Sequence, residues 1–246
     1  MSGFFVTATD TGVGKTLVAG GLAGALRRRG IDAGVYKPVQ SGHPASHPEG
    51  DAYRLRCLSG VEDEPEMICP YATEEPLAPL LALRRAGLRV NLADIAGGYE
   101  ALKRKHSFLV VEGAGGLAVP YVEDGLVADA AAALGLPLVI VARPGLGTVN
   151  HTLLTVEYAR RRGLEIAGII FSGLGRTPVG VAEKTNAGMI VRYGNVPFLG
   201  SLPWIGENPG RDEVIDALEE CIDLEAVAAF WAREEGSRGE NAVLGR

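Results

Sequence analysis

The feature that most constrains this chain is an apolar run that leads through a glycine-rich turn to a lysine. Residues 4–16 read FFVTATDTGVGKT, and Gly14-Lys15-Thr16 opens an amphipathic segment. A strand, a loop ending in Gly-Lys-Ser/Thr and a helix form a P-loop, whose backbone N–H groups surround nucleotide phosphates. The general motif begins with a glycine where this chain has Thr9. The alternative is an ordinary strand-to-helix turn with a solvated lysine.

Two side chains of this junction have defined roles if it binds a nucleotide. Lys15 would neutralise charge on the β- and γ-phosphates, and the Thr16 hydroxyl would ligate Mg²⁺. The sequence therefore predicts a nucleoside triphosphate and Mg²⁺ as ligands.

The rest of the chain alternates apolar runs with amphipathic stretches. Runs that are apolar throughout are typical of strands covered on both faces, and the alternation favours βαβ units. The predicted strands are 3–7, 33–37, 107–112, 138–142, 166–171 and 196–200, and the predicted helices are 15–29, 92–105, 127–134, 149–162 and 179–193. We expect a single α/β domain over 1–232, with a mostly parallel sheet covered by helices on both faces, and a flexible polar tail over 233–246.

Glycines and prolines mark the predicted connections. Gly30, Gly135 and Gly163 each follow a predicted helix, where a C-terminal cap favours positive φ. The segment 41–49 is predicted to be a loop, and 62–79, rich in Glu and Pro, is predicted to be irregular.

Composition narrows the class of protein. The 246 residues are 47% hydrophobic, enough for a sizeable core, and the net charge of −6 argues against a nucleic-acid partner. No apolar run reaches the roughly 18 residues of a membrane span, and the N-terminus does not resemble a signal peptide. The 3 cysteines have no metal-binding spacing and indicate a reducing compartment. We expect a cytoplasmic protein without nucleic-acid or membrane partners.

Two charged side chains stand at predicted strand ends. Lys37 ends the second strand, and Glu112 ends the apolar run FLVV. Ligands of open α/β sheets bind at the carboxyl ends of strands, so both side chains should face the same rim as the P-loop. A carboxylate there is unfavourable unless it faces a metal or cation, and Glu112 therefore indicates the Mg²⁺ side of the site. The alternatives are a surface lysine and an acid that caps the next turn.

The loop after Lys37 contains three ambiguous features. Ser41 could donate to an anionic ligand or only stabilise a turn. Asp51 opens the helical stretch DAYRLRCL, either as its N-cap or as a metal ligand. His43 and His47 have a spacing that suits a helix, but the prolines at 44 and 48 forbid one, so we expect no metal site there.

A later junction, ARPGLGTVNHTLL, lacks the lysine. Gly147, Thr148 and Asn150 lie where a helix should begin, and bare N–H groups with the helix dipole favour a carboxylate ligand. Plain capping by Thr148 or Asn150 is the alternative.

Together these stretches resemble the dethiobiotin synthetases. The resemblance rests on FFVTATDTGVGKT, GVYKPVQSG, VVEGAGGLAVP, GLGTVNHTLLT and LGSLPWIGENP, which stand in the family's order between residues 4 and 209. It implies a single P-loop domain that works as a homodimer. It also implies ATP- and Mg²⁺-dependent closure of a cyclic urea from 7,8-diaminononanoate and CO₂, through a carbamate and a carbamic–phosphoric anhydride, in biotin biosynthesis.

The resemblance also implies roles for individual residues. Lys37 and Lys15 are the implied catalytic residues, and Lys37 would steady the carbamate and the transferring phosphoryl group. The implied metal ligands are Thr16, Asp51 and Glu112. The implied nucleotide contacts are Gly12, Val13, Gly14, Lys15, Thr16, Leu17, Asp51, Glu112, Gly113, Ala114, Gly115, Ser172, Pro203 and Trp204. The implied substrate contacts are Thr11 and Ser41, with Gly147, Thr148, Val149 and Asn150 offered across the dimer.

Three positions depart from the family's pattern. Ala8 replaces a glycine that begins the family's longer loop, so Thr9 need not be glycine. Gly12 stands where some members carry a glutamate. Ser172 stands where an asparagine reads adenine, and a hydroxyl lacks the paired donor and acceptor of an amide. We therefore expect other nucleoside triphosphates to be accepted besides ATP.

Two alternatives are an amidotransferase and a ParA- or MinD-like ATPase. An amidotransferase of the same superfamily would need a glutaminase domain, for which no room remains after residue 210. A ParA- or MinD-like ATPase without biosynthetic activity would carry an extra lysine early in its loop, where this chain has Thr9, Asp10 and Thr11.

Overall fold

The computed structural model describes residues 3–227. The predicted domain end at residue 232 and the predicted tail lie outside this range. In chain order the elements are β1 (Gly3–Ala8), α1 (Lys15–Arg28), β2 (Ala33–Tyr36), β3 (Val39–Ser41), α2 (Asp51–Ser59), α3 (Pro65–Ile68), β4 (Tyr71–Thr73), α4 (Pro79–Arg85), α5 (Leu92–Lys103), β5 (Phe108–Glu112), β6 (Pro120–Val122), β7 (Gly125–Leu126), α6 (Val127–Leu134), β8 (Leu138–Ala142), α7 (Thr148–Arg161), β9 (Ile166–Leu174), α8 (Val181–Gly194), β10 (Phe198–Pro203) and α9 (Arg211–Cys221).

Six parallel strands form the central sheet in the order β10-β9-β8-β1-β5-β2. They are the six strands that the apolar runs predicted, with each end within three residues of its expected position. The predicted α/β fold is therefore confirmed. Because β1 lies between β5 and β8, the loops that follow these three strands meet at one rim.

Each face of the sheet carries its own hydrophobic core. Alternate residues of β1 point to opposite faces, so Phe4 belongs to a core with α1, α2 and α9, and Phe5 to a core with α5, α6 and α7. Gly24 lets α1 pack closely against α2, because a Cβ added at Gly24 would lie 2.7 Å from the carbonyl oxygen of Leu58 on α2. Helices on both faces exclude water from the strands and hold α1 rigidly behind the first loop.

The expectation of irregular structure over 62–79 was wrong. This segment contains α3 and β4, and β4 pairs in parallel with β3. Pro65 and Pro79 stand in the first turns of α3 and α4, where the missing N–H costs nothing and the fixed φ suits a helix. Helices α4 and α9 were also missed, although Val214, Ile215 and Leu218 give α9 one buried face.

The predicted helix ends are confirmed at the three glycines, since Gly30, Gly135 and Gly163 all have positive φ. Among residues 3–227, no helix combines the length and the apolarity needed to cross a membrane. The cytoplasmic location stays a prediction.

Candidate nucleotide and metal site

The loop between β1 and α1 has the geometry of an anion-binding turn. Gly14 is the N-cap of α1 and has a φ of 93°, in the left-handed region that favours glycine. A Cβ at this position would also collide with the Ser172 hydroxyl. The first amides of a helix lack intrahelical acceptors, so the N–H groups at the start of α1 can receive a ligand's oxygens.

Lys15 lies at this helix start, close to Glu112, Asp51 and Asp10 but not bonded to them. Its side chain is buried, and within residues 3–227 it has no hydrogen-bond or ion-pair partner. Burial lowers the pKa of Lys15, and the nearby Lys37 ammonium lowers it further. A buried cation without a partner is costly, so the site favours an anion beside Lys15.

Lys37 is the centre of a buried ionic cluster. Its Nζ donates to Glu112 Oε1 at 2.7 Å, to Asp51 Oδ2 at 2.7 Å and to the Gly113 carbonyl oxygen at 2.9 Å. Only 2% of the lysine side chain is exposed, so the alternative of a surface lysine is wrong. The three acceptors use all three ammonium protons.

Thr16 joins both carboxylates of this cluster. Its Oγ1 lies 3.1 Å from Asp51 Oδ1 and 3.0 Å from Glu112 Oε1. The N-cap of α2 is Gly50, and the Asp51 side chain points into the cluster, so the capping alternative for Asp51 is wrong. Glu112 likewise bonds to Lys37 and Thr16 rather than capping the turn that follows it.

The pKa shifts of the cluster follow from burial and its charges. Burial alone would lower the pKa of Lys37, but Asp51 and Glu112 outweigh it and the pKa is raised. Burial would raise the pKa of Asp51, but Lys37 and Thr16 turn the shift downward. Burial dominates at Glu112 and raises its pKa. Lys37 therefore stays an ammonium, which offers a positive charge and no free base.

These oxygens also fit a divalent cation. Thr16, Asp51 and Glu112 offer only oxygen atoms, the donors that Mg²⁺ prefers. Within residues 3–227, Glu112 Oε2 is buried and has no hydrogen-bond partner, which is costly unless a cation binds it. The two carboxylates together carry more negative charge than the single positive charge of Lys37 balances, so the cluster can accept a further positive charge.

A cavity of about 620 Å³ opens in front of the loop. Many of the residues that the sequence assigned to a nucleotide line it: Gly12, Val13, Gly14, Lys15, Thr16, Leu17, Asp51, Ser172, Pro203 and Trp204. At its far end the Arg176 guanidinium lies 4.4 Å from the Trp204 ring centroid. One end of the cavity is cationic and suits phosphates. The other end is aromatic, so a nucleotide base can stack there.

Three arginines of the cavity were missed by the sequence argument: Arg54, Arg143 and Arg176. Arg143 follows β8 directly and bonds to Asp10 Oδ2 at 2.8 Å, so the strand-end rule could have found it. Arg54 lies one turn after Asp51 on α2. No local sequence pattern marks Arg176, and only the tertiary structure places this residue at the cavity.

Gln40 is a further residue that the sequence argument passed over. Its side chain is buried, and its Oε1 accepts from the Ala52 amide at 2.9 Å. Its Nε2 donates to the carbonyl oxygens of His43 at 2.8 Å and Pro44 at 3.1 Å. Gln40 therefore ties the loop before α2 to the start of that helix, which carries Asp51 into the ionic cluster.

The remaining predicted residues lie around this centre. The segment Gly113, Ala114 and Gly115 follows β5, where a Cβ on Gly115 would lie 3.9 Å from Thr11 Cγ2. Ser41 donates to the Leu77 carbonyl oxygen at 2.8 Å. The cavity lining does not include the predicted nucleotide contacts Glu112, Gly113, Ala114 and Gly115, nor Lys37, nor the predicted substrate contacts Thr11, Ser41, Gly147, Thr148, Val149 and Asn150.

Gly147 is the N-cap of α7, with a φ of 92° and no side-chain cap. The capping alternative for Thr148 and Asn150 is therefore wrong. The Thr148 amide donates to the Gly145 carbonyl oxygen at 3.2 Å, and the next amides of the first turn have no intrahelical acceptor.

The parallel sheet, the glycine loop and the buried lysines define a P-loop nucleotide-binding protein. Solved structures agree on this fold: MinD from Pyrococcus horikoshii, complexed with Mg-ADP, gives a TM-score of 0.52 at 18% identity, covering 89% of this chain and 95% of that one. A ParA family ATPase from Chlorobium tepidum gives 0.51 at 13% identity, covering 93% of each chain. At such identities the likeness shows the fold alone.

Closer relatives decide the family. A family model described as an AAA domain matches residues 2–208. The ATP-dependent dethiobiotin synthetase BioD of Bacillus cereus (strain B4264) is 52% identical over 239 residues, 97% of this chain and 98% of that protein. The same enzyme of Bacillus thuringiensis (strain Al Hakam) is 53% identical over 234 residues, 95% of this chain and 96% of that protein. The chain belongs to the ATP-dependent dethiobiotin synthetases, a family of ligases, as the five motifs predicted.

Proposed function

We propose that this chain closes the ureido ring of dethiobiotin from 7,8-diaminononanoate, CO₂ and ATP, with Mg²⁺. The observation that carries the proposal is the buried Lys37, which lies between Asp51 and Glu112 at the rim shared with Lys15 of the P-loop. Its family relatives carry the synthetase name, which supports the proposal. The ParA- or MinD-like alternative has only distant fold relatives behind it.

The first step needs a neutral amine. A free amine adds to CO₂ and releases a proton, which forms a carbamate. Two neighbouring ammonium groups repel each other, so one pKa of the diamine falls, and the cationic side chains of the site lower it further. Lys37 is protonated and fully hydrogen-bonded, so it does not serve as the base for this proton, which passes to solvent.

Phosphoryl transfer then depends on charge neutralisation. A carbamate oxygen attacks the γ-phosphorus, and ADP leaves with the electrons of the broken P–O bond. Lys15 and the amides at the start of α1 hold the triphosphate, and Lys37 stabilises charge on the moving phosphoryl group. Thr16, Asp51 and Glu112 would hold Mg²⁺, which would neutralise phosphate charge.

Lys37 and the metal compete for the same acceptors. The carboxylates that would hold Mg²⁺ are the ones that now accept hydrogen bonds from Lys37. If Asp51 and Glu112 held Mg²⁺, the Lys37 ammonium would lose acceptors, and its protons would be available to phosphate and carbamate oxygens. Such an exchange would couple metal loading to the positioning of the catalytic cation.

Ring closure completes the reaction. The second amine attacks the carbonyl carbon of the carbamic–phosphoric anhydride, phosphate leaves, and the amine loses a proton. Both amines belong to one bound molecule, so the step is intramolecular and needs no further encounter.

The test of this function is ADP formation by the purified chain. We expect ADP release to require the diamine and bicarbonate together, with one dethiobiotin, identified by mass spectrometry, for each ADP. ADP release that is unchanged by the diamine but stimulated by DNA or lipid vesicles would favour the ParA- or MinD-like alternative.

We further propose that the chain works as a homodimer and that Gly147, Thr148, Val149 and Asn150 bind the substrate carboxylate for the partner's site. Two leucines beside this segment support the proposal. Leu146 is 96% exposed and Leu154 is 61% exposed, and Leu154 lies one helical turn beyond Asn150 on α7. Exposed apolar side chains next to free helix amides suit a subunit interface.

The dimer is tested with Leu146→Asp combined with Leu154→Asp. Placing two carboxylates in an apolar interface should yield monomers by size-exclusion chromatography with light scattering, and raise the KM for the diamine. Leu81→Asp is the control, because Leu81 is 50% exposed but lies on α4. A double variant with the mass and KM of the wild type would exclude this face as the interface.

Ser172 is proposed to relax the choice of nucleotide. It lines the cavity and packs against Gly14, and its single hydroxyl reads a base less completely than an amide. We expect kcat/KM for ATP and at least one other nucleoside triphosphate to agree within about tenfold. A preference for ATP of about a hundredfold, roughly 2.7 kcal/mol, would contradict this expectation.

A further inference from the structure

Two histidines and a glutamate come together in the loop between β3 and α2. His43, His47 and Glu49 each present a ligand atom within 4.8 Å of the others. The imidazole rings stack with centroids 4.5 Å apart and planes inclined by 10°, and His43 Nε2 lies 3.9 Å from Glu49 Oε2. No metal site was predicted here, because prolines forbid the helix that the spacing of these histidines would suit. The structure brings them together by a turn instead.

The backbone of this turn is held mainly by main-chain hydrogen bonds and by Gln40. The His47 amide donates to the Pro44 carbonyl oxygen at 3.1 Å, and the Gly50 amide donates to the His47 carbonyl oxygen at 2.8 Å. The Gln40 side-chain amide donates hydrogen bonds to the carbonyl oxygens of His43 and Pro44. A donor set on a turn already bonded in this way loses little conformational freedom when an ion binds.

We propose that His43, His47 and Glu49 form a second metal site, which takes Zn²⁺ with water in the remaining coordination position. Two imidazole nitrogens and one carboxylate oxygen suit Zn²⁺ and are a poor match for Mg²⁺, which prefers oxygen donors in octahedral geometry. The site is thus chemically distinct from the all-oxygen set of Thr16, Asp51 and Glu112.

Binding requires small side-chain movements. His47 Nδ1 now accepts a hydrogen bond from the Glu49 amide at 3.2 Å. Both groups are exposed, so water takes over that bond when the ring turns to the metal. The ligand atoms must also approach one another, which the exposed Glu49 side chain can do by rotation.

The position of the site couples it to the catalytic cluster. Glu49 is followed by Gly50, the N-cap of α2, and then by Asp51, whose carboxylate lies 2.7 Å from Lys37 Nζ. A metal bound to His43, His47 and Glu49 would close the loop that carries Asp51 and limit its motion. The test of this proposal measures bound metal, so its outcome does not depend on whether the chain closes the ureido ring.

The test counts Zn²⁺ on the full chain without an affinity tag. The protein is dialysed against micromolar Zn²⁺ with millimolar Mg²⁺, and bound zinc is measured by mass spectrometry. We expect wild type and the control His151→Ala, an exposed histidine on α7, to hold one more Zn²⁺ per chain than the double variant His43→Ala/His47→Ala. Zinc bound elsewhere, for example at the exposed Cys57, cancels in this difference.

Thermal unfolding gives a second measurement on the same proteins. Zn²⁺ should raise the Tm of wild type and His151→Ala but not that of the double variant, and the circular dichroism spectra without zinc should coincide. Equal zinc content in wild type and the double variant, with equal shifts in Tm, would overturn the proposal.

Discussion

Lys37→Ala is expected to lower kcat by about a thousandfold or more while ADP affinity stays within a few-fold of wild type. The lost group is the cation proposed to act on the transferring phosphoryl group, and such groups contribute on this scale. Lys15 and the helix amides, which are proposed to hold the phosphates, remain. The measurements are steady-state kinetics and ADP titration by calorimetry. Wild-type turnover in this variant would remove Lys37 from the mechanism.

The same substitution also tests the exchange between lysine and metal. Without the ammonium, the buried carboxylate of Glu112 loses its cation, which lowers the free energy of unfolding by about 3–5 kcal/mol, and the partly exposed Asp51 loses its ion pair. Mg²⁺ should restore part of this lost stability, so the rise in Tm on adding Mg²⁺ should be larger for Lys37→Ala than for wild type. Lys103→Ala is the control, because the ion pair of Lys103 with Glu100 lies outside the ionic cluster. Equal Mg²⁺-induced shifts in all three proteins would mean that lysine and metal do not share these acceptors.

Glu112→Gln is expected to raise the Mg²⁺ concentration that gives half-maximal activity by about tenfold to a hundredfold, since loss of even an outer partner of a metal has this effect. The amide keeps the shape of the side chain but removes the negative charge and one oxygen. That oxygen is either Oε1, which now accepts from Lys37 and Thr16, or the buried Oε2 without a partner. Activity is measured over a Mg²⁺ titration at saturating ATP.

Glu123→Gln is the matched control for this variant. Glu123 forms an ion pair with Arg84 at 2.8 Å at the surface. The substitution therefore removes one charge of a surface ion pair and leaves the cluster around Lys37 unchanged. A Glu112→Gln enzyme whose Mg²⁺ titration overlays that of wild type and the control would place the metal elsewhere.

Several features of the site were predictable because they depend on residues close together in the chain. The run FFVTATDTGVGKT predicts a strand, a glycine turn and a helix start within thirteen letters, and the structure contains all three. Lys37 and Glu112 were predicted at the same rim, because the carboxyl ends of parallel strands always meet at one edge. The two short proline-started helices were missed, because proline marks both helix starts and irregular loops.

The chain's amino-acid sequence by itself determined the alternation of strands and helices, the P-loop and the charged groups at strand ends. Only the tertiary structure decided which of these groups touch. Thr16 meets Glu112 across a separation of 96 residues, Lys37 meets Glu112 across 75, and Thr16 meets Asp51 across 35. These contacts follow from the order β1-β5-β2 in the sheet, and strand order is set by long-range packing that no local periodicity records.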